Sequence, residues 1–273
     1  MEHSISTFDY QISRRSLLLL GGATFAASVG MSASSSTPFE ANRIRAVTFD
    51  AFAIFDLRPL WVACESAFPE KGSMLSAAWR SRQFEYQWLT ALAGKYQDFW
   101  ETTRNALIFA ARSTGVSLSD SVRDALLRTY LRMAVWPDVA TVLSQLRATG
   151  KQVLILSNAT EAILEASLRA NGLRGAVDHV LSTDKISSFK PDPKAYQLAV
   201  DRTGYRREEI LFVASAGWDA AGARWFGYPT FWNNRLSAPL EELEVAADAS
   251  GSTLLGLTPM LQITEAAQAL KAR

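Results

Sequence analysis

Residues 44–56 read IRAVTFDAFAIFD. An apolar, β-branched run (Ile44, Ala46, Val47, Thr48, Phe49) ends at an acid, Asp50. A buried parallel strand reads this way, because both of its faces are covered. Asp50 then stands at the carboxyl end of the strand, where open α/β sheets bind their ligands. Two readings of Asp50 follow: a nucleophile, or an acid capping the next helix.

Outward from this stretch, the later chain alternates regularly. Strand QVLILSN precedes helix TEAILEASLRANG, DHVLST precedes PKAYQLAVDRTG, and EILFVAS precedes WDAAGARWFG, with TFWNN following. Strands alternating with helices predict an α/β fold built on a doubly wound parallel sheet. Between Leu60 and Met133 the pattern is helical and aromatic instead, as in LSAAWRSRQFEYQWLTALAGKY and FWETTRNALIFAARSTG. Several helices between two strands are an inserted cap rather than a simple crossover. The expected division is therefore a core of residues 38–59 and 134–273 and a helical cap of residues 60–133. From Pro239 the tail predicts a closing helix, a loop and a last helix, TEAAQALKAR.

Residues 1–37 read as a targeting segment. Ser13-Arg14-Arg15-Ser16-Leu17-Leu18 is a twin-arginine pattern, followed by an apolar run to Met31 and a small-residue stretch, SASSSTP. This is a signal for twin-arginine export, which places the mature chain in a periplasm. The apolar run is short for a membrane span, so no stable membrane insertion is expected after processing.

Composition narrows the chemistry. The 273 residues carry a net charge of +1 with both signs interspersed, so no nucleic-acid face is expected. One cysteine, Cys64, excludes an intrachain disulfide, and two histidines, His3 and His179, make histidine triads and multi-histidine zinc sites poor options. What remains is polar residues at successive strand ends: Asp50, Ser157-Asn158, Lys190 in SSFKPDPKAY, and Asp219.

An acid, a hydroxyl with an amide, a lysine and a second acid in this order resemble the four motifs of the haloacid dehalogenase superfamily. AAWRSRQFEYQWL, LSNAT, FKPDPKAY and ILFVASAGWDAAGARWFGYPTFWNNR resemble the L-2-haloacid dehalogenase family specifically, over about residues 44–258. The position two residues after Asp50, an acid in the magnesium-dependent phosphatases of the superfamily, is Phe52. The carboxylates around Asp219 are too few for a magnesium site.

The resemblance implies covalent catalysis on a small 2-halocarboxylate. Asp50 would attack C2 and expel halide, and water would then hydrolyse the aspartyl ester to give an inverted 2-hydroxy acid. Lys190 would hold Asp50 ionised, and Asp219 would position the water. Ser157 would bind the substrate carboxylate. Arg80, Asn158 and Trp218 would cradle the halide, Phe84 and Phe99 would line an apolar pocket, and Tyr196 would steady the network. The resemblance implies no metal or organic cofactor, and it suggests a homodimer.

Two motifs depart from the family pattern. Motif one, Asp-x-Tyr-Gly-Thr-Leu-x-Asp in the family, is here one residue shorter, Asp50-Ala51-Phe52-Ala53-Ile54-Phe55-Asp56. No polar group is expected to replace its threonine. Motif four, Ser-Ser/Ala-Asn-x-Trp-Asp in the family, is here Ala214-Ser215-Ala216-Gly217-Trp218-Asp219. Each hydrogen bond lost at a charged site costs about 1.5–3 kcal/mol, roughly one to two powers of ten in rate. Slow ester hydrolysis is the expected consequence. The departures leave open another hydrolase on the same scaffold, phosphatase or fluoroacetate-type, and a non-catalytic binding protein.

Overall fold

The computed structural model describes residues 39–263. The export signal expected over residues 1–37 and the last helix expected over 264–273 lie outside them.

Strand β1 (Ala46–Phe49) is buried along its whole length, as its uninterrupted apolar run requires. A one-turn helix α1 (Ala51–Ile54) and the short strand β2 (Phe55–Asp56) follow. The cap then comprises α2 (Arg58–Ala67), α3 (Gly72–Leu92), α4 (Phe99–Ser113) and α5 (Asp120–Arg128). Its first helix begins two residues before position 60. Strand β3 (Ala134–Val135) returns antiparallel to β2, with Phe55 opposite Val135, and so closes the base of the insertion.

The alternating half of the chain forms α6 (Val139–Ala148), β4 (Gln152–Ser157), α7 (Glu161–Ala170), β5 (His179–Ser182), α8 (Pro193–Thr203), β6 (Ile210–Ala214), α9 (Gly217–Phe226) and β7 (Thr230–Asn233). Beyond these lie β8 (Ala249–Gly251) and α10 (Leu257–Met260). Six strands make one parallel sheet in the order β5-β4-β1-β6-β7-β8. Because the strands are parallel, the ends of β1, β4, β5 and β6 open on one edge. β1 lies between β4 and β6, so Asp50 stands near the middle of that edge. Helices cover both faces, which explains the two buried clusters, one around Val47 and Ile155 and one around Phe212 and Leu154.

The closing helix expected after Pro239 does not form. Residues 240–247 are irregular and β8 pairs with β7. Leu240 and Leu243 are 59% and 39% exposed, so a helix there has no core face to bury. Asp248 instead fastens the segment to the sheet, accepting hydrogen bonds from the Thr230 N–H and from Arg224, each at 2.7 Å.

Candidate active site

Asp50 follows β1 directly, and its N–H donates to the Val213 carbonyl at 2.9 Å. Its Oδ2 accepts from the Phe52 N–H at 3.1 Å, so Asp50 does cap α1. Capping leaves the rest of the carboxylate for other partners. Lys190, 1% exposed, comes from the loop between β5 and α8. Its Nζ sits between Asp50 Oδ1 at 2.8 Å and Asp219 Oδ2 at 2.7 Å.

The lysine's main chain is held as firmly as its ammonium. The Lys190 N–H donates to Asn158 Oδ1 at 2.8 Å, and its carbonyl accepts from the Trp88 indole at 3.1 Å. A buried ion group survives only when its polar atoms are this fully satisfied. Burial alone would pull the Lys190 ammonium down, but the charges of Asp219 and Asp50 outweigh it and hold it above the usual lysine value.

Asp219 is the third residue of α9 and is 1% exposed. Burial pushes its carboxyl up to about 6; Lys190 opposes the rise and the Asp50 charge adds to it. The Tyr196 hydroxyl donates to Asp219 Oδ1 at 2.8 Å. Burial, followed by the Asp219 charge, raises the Tyr196 phenol well above its ordinary value, so it stays a donor. Tyr196 does not line the chamber: it stands behind Asp219, bonded to its carboxylate.

The other expected residues surround one small chamber above the Asp50 carboxylate. Ser157, at the end of β4, and Asn158 wall one side, and Trp218 walls another. Ser157 Oγ accepts from the Ala159 N–H at 3.1 Å, so it shapes the turn as well as facing the chamber. The cap contributes Arg80 and Phe84 from α3 and the buried ring of Phe99 from α4. Phe84 packs edge-on against Trp218, with ring centres 5.3 Å apart. Arg80 lies between two aromatic faces, 4.7 Å from the Phe52 ring centre and 4.2 Å from that of Phe84. It donates to Gln83 Oε1 at 2.6 Å and forms no ion pair among the described residues. Burial lowers its pKa, opposed by Tyr130 and Asp50, yet a guanidinium keeps its proton at any working pH.

The chamber holds about 20 Å³, above the roughly 10–15 Å³ that one water needs. A second cavity of about 310 Å³ adjoins it and shares Phe52, Arg80, Phe84 and Ser215 as a wall.

Three contributors were missed from sequence. Ser215, just past β6, donates to Asp50 Oδ2 at 2.5 Å. The expectation that nothing polar replaces the motif-one threonine is thereby overturned: the neighbouring strand supplies the hydroxyl. Its position at a strand end was the available signal. Phe52 stacks on Arg80 where an acid would stand in a phosphatase. Gln87, in the cap, lines the chamber with no sequence signal beyond its place two turns after Arg80.

A buried carboxylate held from both oxygens, a second carboxylate behind the shared lysine and a cation with no ion pair among the described residues suit displacement by a carboxylate followed by attack of water. The comparisons agree with that chemistry. The model of the haloacid dehalogenase-like hydrolase family matches residues 37–227. The (S)-2-haloacid dehalogenase of Pseudomonas sp. strain YL is 38% identical over 220 residues, 80% of this chain and 95% of that protein. A crystal structure of an L-2-haloacid dehalogenase aligns with a TM-score of 0.79 at 41% identity, over 80% of this chain and 99% of that one. The Xanthobacter autotrophicus L-2-haloacid dehalogenase with chloropropionic acid covalently bound aligns with a TM-score of 0.74 at 32% identity, over 80% and 98% of the two chains. The sheet edge that gathers Asp50, Lys190 and Asp219 beneath an arginine-bearing cap, with these matches across nearly the full length of the relatives, makes this chain a member of the L-2-haloacid dehalogenase family of haloacid dehalogenase-like hydrolases.

Proposed function

We propose that the protein hydrolyses (S)-2-haloacids to (R)-2-hydroxy acids through an ester on Asp50. The observation that carries this reading is the buried Asp50–Lys190–Asp219 cluster facing Arg80, which has no ion pair among the described residues, across one chamber. One Asp50 oxygen attacks C2 from the side opposite the halogen. The C–O bond forms, the C–halogen bond breaks with its electron pair on the halide, and configuration inverts. Arg80 meets the charge that develops on the departing halide, where a fixed cation is worth most. A water then adds to the Asp50 carboxyl carbon, Asp219 takes its proton, and the ester C–O bond cleaves to free the hydroxy acid. Lys190 holds the regenerated carboxylate ionised.

The same cluster favours attack on carbon by an ionised group, since no acid stands two residues after Asp50 to protonate a phosphate leaving group. Ser157 and the adjoining backbone suit the substrate carboxylate. On the twin-arginine pattern of residues 13–18 we assign the mature enzyme to a periplasm. A homodimer is the expected assembly from the family.

The deciding experiment is halide release by protein beginning near Pro38, given L- and D-2-chloropropionate with a chelator present. The expected result is steady, chelator-resistant release from the L isomer only, lost in Asp50→Asn. Release from both isomers, or release that survives in Asp50→Asn, overturns the reading.

A further inference from the structure

Gln87 is fully buried in α3, lines the chamber, and leaves its side-chain nitrogen without a hydrogen-bond partner among the described residues. The orientation of that amide follows from a chain of obligate donors. The Lys190 main-chain N–H can only donate, so the Asn158 atom it meets at 2.8 Å is the oxygen. Thr183 donates to the same oxygen at 3.4 Å. The Asn158 nitrogen must then donate, and it does so at 2.9 Å to Gln87, which fixes the Gln87 oxygen on that side. What remains is Nε2, a two-hydrogen donor with nothing to donate to. A buried amide left in this condition is costly, and its cost is recovered when an acceptor enters.

We propose that Gln87 Nε2 is a donor to the substrate's carboxylate, a cap-borne partner to Ser157. The inference rests on the haloacid reading above and deepens it. Arg80 and Gln87 are seven residues apart on α3, two turns and about 10 Å along its axis. The Arg80 guanidinium lies between the Phe52 and Phe84 rings, whereas the Gln87 amide is bonded to Asn158, so the two meet the chamber at different places. The Arg80 end suits the halogen. Away from the arginine, Gln87 is bonded to Asn158, next to Ser157, so Asn158 is assigned here to the carboxylate rather than to the halide cradle expected from the resemblance. A 2-haloacid presents a halogen and a carboxylate in different directions from C2, so the donor at the Gln87 end meets the carboxylate. Because Gln87 belongs to the cap, and Asn158 and Ser157 to the core, a bound carboxylate also ties the two together.

The test is propionate binding, which presents the carboxylate without a halogen, measured by titration calorimetry beside bromide binding. Gln87→Met keeps side-chain length and removes the amide. It is expected to weaken propionate about tenfold or more and to leave bromide within about twofold. Gln87→Glu keeps the acceptor toward Asn158 and replaces the donor with a carboxylate oxygen. It is expected to bind propionate poorly at pH 7.5 and to regain affinity, relative to wild type, as acid protonates the new carboxyl. A merely structural glutamine predicts no such pH-dependent recovery, and should Gln87→Met fail to fold, the glutamate variant alone decides. Unchanged propionate affinity in both variants, or bromide weakened as much as propionate, overturns the inference. Halide release from L-2-chloropropionate, run on the wild type in parallel, separates the two readings. Release with Gln87-independent propionate binding sinks the inference alone, whereas Gln87-dependent binding without release sinks the haloacid reaction alone.

Discussion

Asp219 carries a consequence in pH. Its carboxyl, lifted by burial to about 6 from an ordinary 3.8, is ionised only above that value. In the proposed role of base for the hydrolytic water it must be ionised, so ester hydrolysis is expected to fall as pH drops through about 6. Single-turnover release of hydroxy acid against pH checks this, and Asp219→Asn should lose both the rate and the limb. The same shift acts on stability with a definite sign. A raised carboxyl pKa stabilises the fold fully below the ordinary value, and that contribution is lost as pH rises through about 6. Denaturant melts of wild type minus Asp219→Asn should show that slope.

Ser215 is the other residue whose removal is informative. It holds Asp50 Oδ2 at 2.5 Å beside the Phe52 N–H. A hydrogen bond to an ionised group contributes about 1.5–3 kcal/mol, so Ser215→Ala should lower kcat roughly 10- to 100-fold. Pre-steady-state halide release shows whether attack at C2 bears the loss. A normal kcat would mean that Lys190 and the Phe52 N–H suffice.

Helices α8 and α9 set the second carboxylate. Tyr196 lies early in α8 and Asp219 early in α9, and the bond between them depends on how closely the helices approach. Gly222, one turn after Asp219, permits that approach: a Cβ there would run into the Tyr196 hydroxyl and lie 2.9 Å from Pro191 Cβ. Gly222→Ala should displace Tyr196 from Asp219, destabilise the protein by about 1–3 kcal/mol and slow ester hydrolysis. Thermal melts and single-turnover kinetics check both effects. In α3, a single face carries Arg80, Phe84 and Gln87 at spacings of four and three. The helical period was plain in AAWRSRQFEYQWL. Which face turns to the chamber was not, because that depends on how α3 packs on α4. There the Trp79 indole donates to the Thr103 carbonyl at 2.8 Å and Gln83 to the Thr103 hydroxyl at 2.5 Å.

At the scale of the whole molecule, every residue of the site lies between Asp50 and Asp219, downstream of the proposed export signal. Replacing Arg14 and Arg15 by lysine should therefore leave the activity of the purified protein unchanged while abolishing its appearance in the periplasmic fraction. Immunodetection in cell fractions checks this, and undiminished periplasmic protein would count against the twin-arginine assignment.

The α/β alternation, the helical insertion and the order of polar residues at strand ends were legible from residues close together in the chain. These rest on periodicity and on the local chemistry of strand termini, which neighbouring residues encode. The sequence also carried the acid, lysine and acid that form the cluster, because each follows its own strand or loop in a fixed order. Contacts that cross between elements came from the packing of the folded chain. Ser215 reaches Asp50 because β6 lies beside β1. Tyr196 stands behind Asp219 because α8 packs on α9. The segment after Pro239 takes the sheet edge because no core face is left for a helix. Gln87 enters the chamber because α3 meets Asn158 just past the end of β4. Each is a contact between residues far apart in the chain, and no local pattern specifies the partner.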